Sequence, residues 1–118
     1  ISRITLLVKG DEHSIEQVVK QLYKLINVIK IQELDPSNIV ERELVLIKVS
    51  ADSKTRAEIL EIVNIFRANI VDVSKKSLMI EITGTEKKVS ALEDLLKPYG
   101  ILELVRTGKI ACERGSKV

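Results

Sequence analysis

The sequence predicts an α+β protein built from βαβ units in series, two of which close into a complete ferredoxin-like domain. Three observations carry this reading. One strand–helix–strand pattern of apolar residues recurs three times along the 118 residues. Its second and third copies are joined only by Ser74-Lys75-Lys76-Ser77, which gives the split βαβ order of the ferredoxin-like sandwich. The apolar content is almost wholly aliphatic: hydrophobic residues are 45% of the chain but aromatics 3%, with no Trp. The core must therefore be Ile, Val and Leu, and β-branched side chains suit a pleated surface.

The first copy runs from Ile4 to Glu33. Ile4-Thr5-Leu6-Leu7-Val8 reads as a strand, Gly10-Asp11 as a break with Asp11 in the helix N-cap position. Ile15, Val18, Val19, Leu22 and Ile26 then recur at helical spacing, Asn27 ends the helix, and Val28-Ile29-Lys30-Ile31 starts a second strand. The second copy, Glu43 to Val73, begins with the strand Leu44–Val49. Asp52 or Ser53 caps a helix carrying Ile59, Ile62, Val63 and Phe66; Asn69 ends it, and Ile70–Val73 follows. The third copy, Leu78 to Val105, has the strand Leu78–Ile82, the turn and cap Gly84-Thr85, and the helical stripe Val89, Leu92, Leu95, Leu96 and Tyr99. Gly100 sits where a left-handed C-cap is wanted, and Ile101–Val105 closes the unit.

This assigns residues 1–35 to an incomplete first domain, 36–38 to a linker in the stretch Asp35-Pro36-Ser37-Asn38, and 39–118 to the complete domain, whose sandwich spans about Ile39–Val105. A lone βαβ unit leaves most of its apolar stripe unburied, too little to hold a unit this small. The chain also opens on Ile1 rather than Met, already inside a strand pattern. The expectation is that the other half of the first domain lies upstream.

Composition narrows the function. A net charge of +2 gives no strongly basic face, so neither nucleic acid nor an anionic membrane is an expected partner. Cys112 is the sole cysteine, which excludes an internal disulfide and a multi-cysteine metal site and fits a reducing compartment. No apolar run is long enough to span a membrane.

The residues capable of chemistry are dispersed. His13, beside Glu12 in a helical first turn, reads as a solvated residue rather than a base or metal ligand. Cys112 has no base near it in sequence to lower its pKa, and reads as a small residue in a terminal strand. Glu41, Glu43, Asp72, Glu81 and Glu103 are candidate acids, but Glu81 and Glu103 alternate with Ile and Leu, which puts them on the solvent face of a sheet. Lys75-Lys76 and Lys87-Lys88 are short basic pairs without the strand aromatics on which an RNA base would stack. The five glycines are scattered at unit boundaries and form no phosphate loop. No catalytic, effector-binding or metal residue is assigned. Surface for partners remains: Leu44, Leu46 and Lys48 project to one side of their strand and Val45, Ile47 and Val49 to the other. A strand apolar on both sides is normally covered on both. The helices cover one face, so the other is expected to meet another chain.

Several stretches resemble the regulatory (small) subunit of acetolactate synthase, also called acetohydroxyacid synthase. VERELVLIKV, Val40 to Val49, is similar to the opening strand of that family's C-terminal domain, and EIVNIFRANIVDVS, Glu61 to Ser74, to the helix and strand after it. MIEITGTEKKVSALEDLLKPYG, Met79 to Gly100, and ILELVRTGKIACERG, Ile101 to Gly115, resemble the remainder. Upstream, Ser2 to Leu34 is similar to the second half of the family's ACT domain, including Gly10-Asp11-Glu12 and Gln21-Leu22-Tyr23-Lys24-Leu25. The resemblance implies a non-catalytic subunit that dimerises and binds a larger catalytic subunit. It implies that thiamine diphosphate, magnesium and FAD belong to that larger subunit and that this chain holds no cofactor. It implies activation of acetolactate formation and feedback inhibition by valine or another branched-chain amino acid, in bacterial cytoplasm or a plastid stroma. In the family the effector sits at an ACT dimer interface, on the loop after the first strand and the start of the second; these have no counterparts here, so weak or absent valine binding is expected. Two rivals stand beside this reading. One is an ACT-type amino-acid sensor serving a different enzyme; the other is a small ferredoxin-like isomerase or cyclase using Glu81 or Glu103, which would need a pocket around either acid.

Overall fold

The computed structural model describes residues 2–115. These fall into two compact units: residues 2–40 with 111–115, and Glu41–Ile110.

In the first unit, α1 (Glu12–Tyr23) starts where the sequence places it. Asp11 is its N-cap, its Oδ1 accepting the Ser14 N–H at 2.9 Å. The expected strands over Ile4–Val8 and Val28–Ile31 are not formed. A strand needs a neighbour for its backbone N–H and C=O groups, and α1 buries none of its residues, so no packed layer holds these segments flat. They are tied down by scattered polar contacts instead. The Ile31 N–H donates to the Tyr23 hydroxyl at 3.2 Å, and the Gln32 amide to Glu113 Oε2 at 2.7 Å. Pro36–Asn38 forms a short 3₁₀ turn capped by Asp35, which accepts from both the N–H and the hydroxyl of Ser37.

The second unit holds the sandwich. Its elements are β1 (Ile39–Ser50, which begins in the first unit), α2 (Arg56–Ile65), β2 (Asn69–Val73), β3 (Ser77–Gly84), α3 (Glu86–Leu96) and β4 (Ile101–Arg106). The strands lie in the order β2-β3-β1-β4, and each neighbouring pair along this path is antiparallel. This is the ferredoxin-like arrangement read from the repeat. A further strand, β5 (Ile110–Glu113), also pairs with β1.

The register explains the core. Val45 faces Ile82, Ile47 faces Ile80, and Val49 faces Leu78 across β1 and β3. All six are buried, and Ile59 and Val63 of α2 with Val89, Leu92 and Leu96 of α3 close over them. Side chains alternate across a strand, so the even-numbered positions of β1 point the other way.

Local chemistry sets the element ends. The start of α2 lies later than the sequence expectation of a cap at Asp52 or Ser53: its N-cap is Thr55, which makes no side-chain cap bond, while Asp52 holds the preceding turn, its Oδ1 accepting the Lys54 and Thr55 N–H groups and its carbonyl accepting from Arg56. The other end also differs from the sequence expectation. Asn69 opens β2 rather than ending α2. The helix stops at Ile65, four residues earlier: the Arg67 N–H bonds the Asn64 carbonyl and the Ala68 N–H the Val63 carbonyl, a Schellman closure. Arg67 takes the left-handed position with φ +54°. Burial of Ala68 against Val63 fixes that geometry, and the local sequence carries no glycine to announce it. Gly100 does have positive φ (+99°), turning the chain from a 3₁₀ turn at Lys97–Tyr99 into β4.

Candidate functional site

The singled-out residues do not converge. His13 is exposed in the first turn of α1, and Cys112 is exposed in β5. Lys75 and Lys76 are exposed in the β2–β3 turn; Lys87 and Lys88 lie in the first turn of α3, where the Lys88 ammonium donates to the Thr83 carbonyl at 3.4 Å. Asp72 is exposed on β2. Among the described residues there is no group of three or more His, Cys, Asp or Glu side chains placed to hold a metal. Glu12, Ile15, Glu16 and Glu33 line an open hollow beside α1, an acidic surface with no cation paired to it among the described residues.

The acids of the sandwich split into two sets. Glu43 lies on the helix-facing side of β1, in step with Val45 and Ile47, and is 5% exposed. Arg106 stands across from Val45 on β4 and reaches both Glu43 (3.5 Å) and Glu93 of α3 (3.1 Å), clamping sheet to helix. Lys109 pairs with Glu86 at 2.9 Å, and the hydrogen bond and charge of Glu86, with smaller contributions from Glu41 and Glu43, raise the lysine's pKa above its ordinary value. This is a structural ion cluster at one end of the core. Sequence reading named Glu43 but missed the cluster. The signal was present, since Glu43 falls at the same parity as the buried Val45, Ile47 and Val49.

Glu81 and Glu103 belong to the second set, on the opposite face of the sheet. Lys48 of β1 stands between Met79 of β3 and Glu103 of β4, and Leu46 between Glu81 and Val105. Leu44 and Val105 are exposed; Leu46, Lys48, Met79 and Glu81 are half-buried. Neither α2 nor α3 covers this side; Glu81 is half-buried and Glu103 exposed on it. The face is a continuous surface of aliphatic side chains with a few charges, suited to contact with a macromolecule and not to enclosing a small substrate.

Fold and surface together define a ferredoxin-like sandwich with its helices on one side and an open sheet on the other. The comparisons with known proteins agree and are more specific. A family model described as the small subunit of acetolactate synthase matches residues 42–115, and one described as an AHAS small subunit-like ACT domain matches residues 1–30. The chain is similar to a probable acetolactate synthase small subunit of Archaeoglobus fulgidus, at 57% identity over 99% of this chain and 73% of that protein. It is similar to the acetolactate synthase small subunit of Mycolicibacterium smegmatis at 52% identity, over 99% of this chain and 69% of the relative. The crystal structure of the small subunit from Thermotoga maritima superposes with a TM-score of 0.82 at 46% identity, covering 92% of this chain and 68% of that one. The chain belongs to the acetolactate synthase small-subunit family, the regulatory chains of that enzyme.

Proposed function

We propose that this chain serves as a non-catalytic regulatory subunit: it binds the catalytic subunit of acetolactate synthase, raises its activity, and makes it sensitive to feedback inhibition by valine or another branched-chain amino acid. The observation that carries the reading is the pair of family matches in series, an ACT-type segment followed by the C-terminal domain typical of the small subunit. The open sheet face supports it by offering contact surface, and the dispersed titratable residues give the chain no chemistry of its own to account for. Thiamine diphosphate, magnesium and FAD belong, on this reading, to the catalytic subunit, which condenses two pyruvates or pyruvate with 2-oxobutyrate.

Feedback through a separate subunit requires the effector to bind two states of the complex with different affinity. Coupling energies of about 1–3 kcal/mol correspond to roughly 5- to 150-fold changes in affinity. The test uses the full-length protein. Purified with its physiological large subunit, it should bring down a chain that forms acetolactate from pyruvate, and valine should inhibit the pair more strongly than the large subunit alone. A large subunit with a different activity would instead assign the chain to another amino-acid-regulated enzyme. Equal valine sensitivity with and without this protein would refute the regulatory role.

A further inference from the structure

We propose that one end of the sandwich, where Lys54, Arg56, Lys75 and Lys76 gather, docks against an acidic surface of the catalytic subunit. The inference rests on the regulatory reading and deepens it, by naming the contact surface and the chemistry that fits it.

Backbone hydrogen bonds bring three segments together at this end. The Ser50 N–H donates to the Gly100 carbonyl and the Ala51 N–H to the Lys76 carbonyl, both at 2.8 Å. Residues 50–56, 74–77 and 97–100 are therefore neighbours. They carry five cations, Lys54, Arg56, Lys75, Lys76 and Lys97, against the single anion Asp52. The whole chain has a net charge of only +2, so the rest of it is net negative and the overall balance conceals a basic end. Lys97 is paired with Asp94, but none of Lys54, Arg56, Lys75 and Lys76 takes part in an ion pair among the described residues.

The backbone beneath these charges is tied in place. Arg56 Nη2 donates to the carbonyls of Ser74 at 2.7 Å and Lys75 at 3.1 Å, fixing the β2–β3 turn to the start of α2. Those acceptors are neutral, so the guanidinium charge stays uncompensated. The Ser74 N–H closes the turn on the Ser77 carbonyl at 3.0 Å. The Asp52 carboxylate is engaged within its own loop, one oxygen accepting from the Lys54 and Thr55 N–H groups and from the Thr55 hydroxyl. Lys54, Lys75 and Lys76 are exposed. A fixed backbone presents these charges in one arrangement, which a partner matches with carboxylates placed to suit. Complementarity of this kind steers encounter and fixes register more than it adds affinity. Nucleic acid fits less well. The one aromatic at this end, Tyr99, is half-buried against the core and donates its hydroxyl to Glu58 at 2.8 Å, so no free ring offers a base a surface to stack on.

The test follows association of the full-length protein with the catalytic subunit by surface plasmon resonance over a range of salt. For the parent chain the association rate should fall as salt rises, because charges are screened over about 10 Å at 0.1 M. Reversing two charges, Lys54→Glu with Lys75→Glu, should slow association about tenfold or more at low salt and remove most of its salt dependence, within the roughly 10- to 10³-fold reach of electrostatic steering. Lys87→Glu reverses a charge in the first turn of α3, at the opposite end of the sandwich, and should associate like the parent. Should the double reversal fail to fold, Lys54→Gln with Lys75→Gln only removes the charges and should still slow association several-fold. Charge variants that associate like the parent would overturn the proposal. So would Lys87→Glu slowed as much as Lys75→Glu alone, which would show an effect of net charge. Variants that lose binding to polyuridylate while meeting the catalytic subunit unchanged would assign the surface to nucleic acid and overturn it too. In each of these outcomes the parent still binds the catalytic subunit, so the regulatory reading stands; a parent that does not bind it refutes both.

Discussion

Arg67 holds a backbone conformation that side chains disfavour: it is the one non-glycine among the described residues with positive φ, at +54°. The left-handed region costs an L-residue about 1–2 kcal/mol, part of which a glycine gives back in chain entropy. Arg67→Gly should therefore stabilise the protein by about 0.5–1 kcal/mol on the same reasoning, read as a rise in Tm. At the other end of α2, hydrogen bonds from the Thr55 and then the Lys54 backbone lower the Asp52 pKa below its ordinary value. A carboxylate with a depressed folded pKa contributes stability above its unfolded pKa, about 3.9, and loses it as pH falls through the folded value. Asp52→Asn keeps the side-chain acceptor but cannot titrate, so it should flatten the fall of Tm between about pH 4 and pH 2 while changing little at neutrality. Glu43 is the buried charge. Arg106→Met would strand its carboxylate; because Arg106 is itself 36% exposed, the loss should fall below the roughly 3–5 kcal/mol of a fully buried pair. Adding Glu43→Leu should recover most of that loss in urea unfolding, and a double variant as unstable as the single one would show that Arg106 acts through something other than Glu43.

At the level of elements, β1 decides the fold. Its odd positions fill the core and its even positions make the open face, and Ile47 sits between Ile80 of β3 and Leu104 of β4. Ile47→Ala should cost about 2–5 kcal/mol, as expected for a fully packed aliphatic cut back to Ala. The alternation was readable from sequence because β1 is long, antiparallel and covered on one side only. The strands of the first unit were misread because their pattern is equally apolar but lacks the partner strands and helix packing that turn a pattern into a sheet. Ile4, Leu7 and Ile29 are 81%, 73% and 79% exposed, whereas Val45, Ile47 and Ile80 are 0% exposed. Amide exchange should divide accordingly: β1 and β3 exchange only on global unfolding, while residues 4–8 and 28–31 exchange through local opening. Protection of residues 4–8 comparable to β3 would mean that this segment is paired after all.

For the molecule as a whole, the repeat gave the order of elements, and the sheet order and the placement of both helices on one face followed from it. The candidate site was less legible. Parity along β1 put Leu46 and Lys48 on the free side and Glu81 and Glu103 with them, but which residue of β4 stands opposite Lys48 depends on a bulge between Lys48 and Val49 that no local signal marks. The ion cluster of Glu43, Glu93 and Arg106 joins residues far apart in sequence, and only the register brings them together. What the chain does as a subunit is tested most directly by titration. With the acetolactate synthase catalytic subunit held at fixed concentration, adding the full-length protein should raise the rate of acetolactate formation to a plateau at a defined ratio of the two chains. A rate that stays flat across the titration, with the protein folded throughout, would contradict the regulatory account.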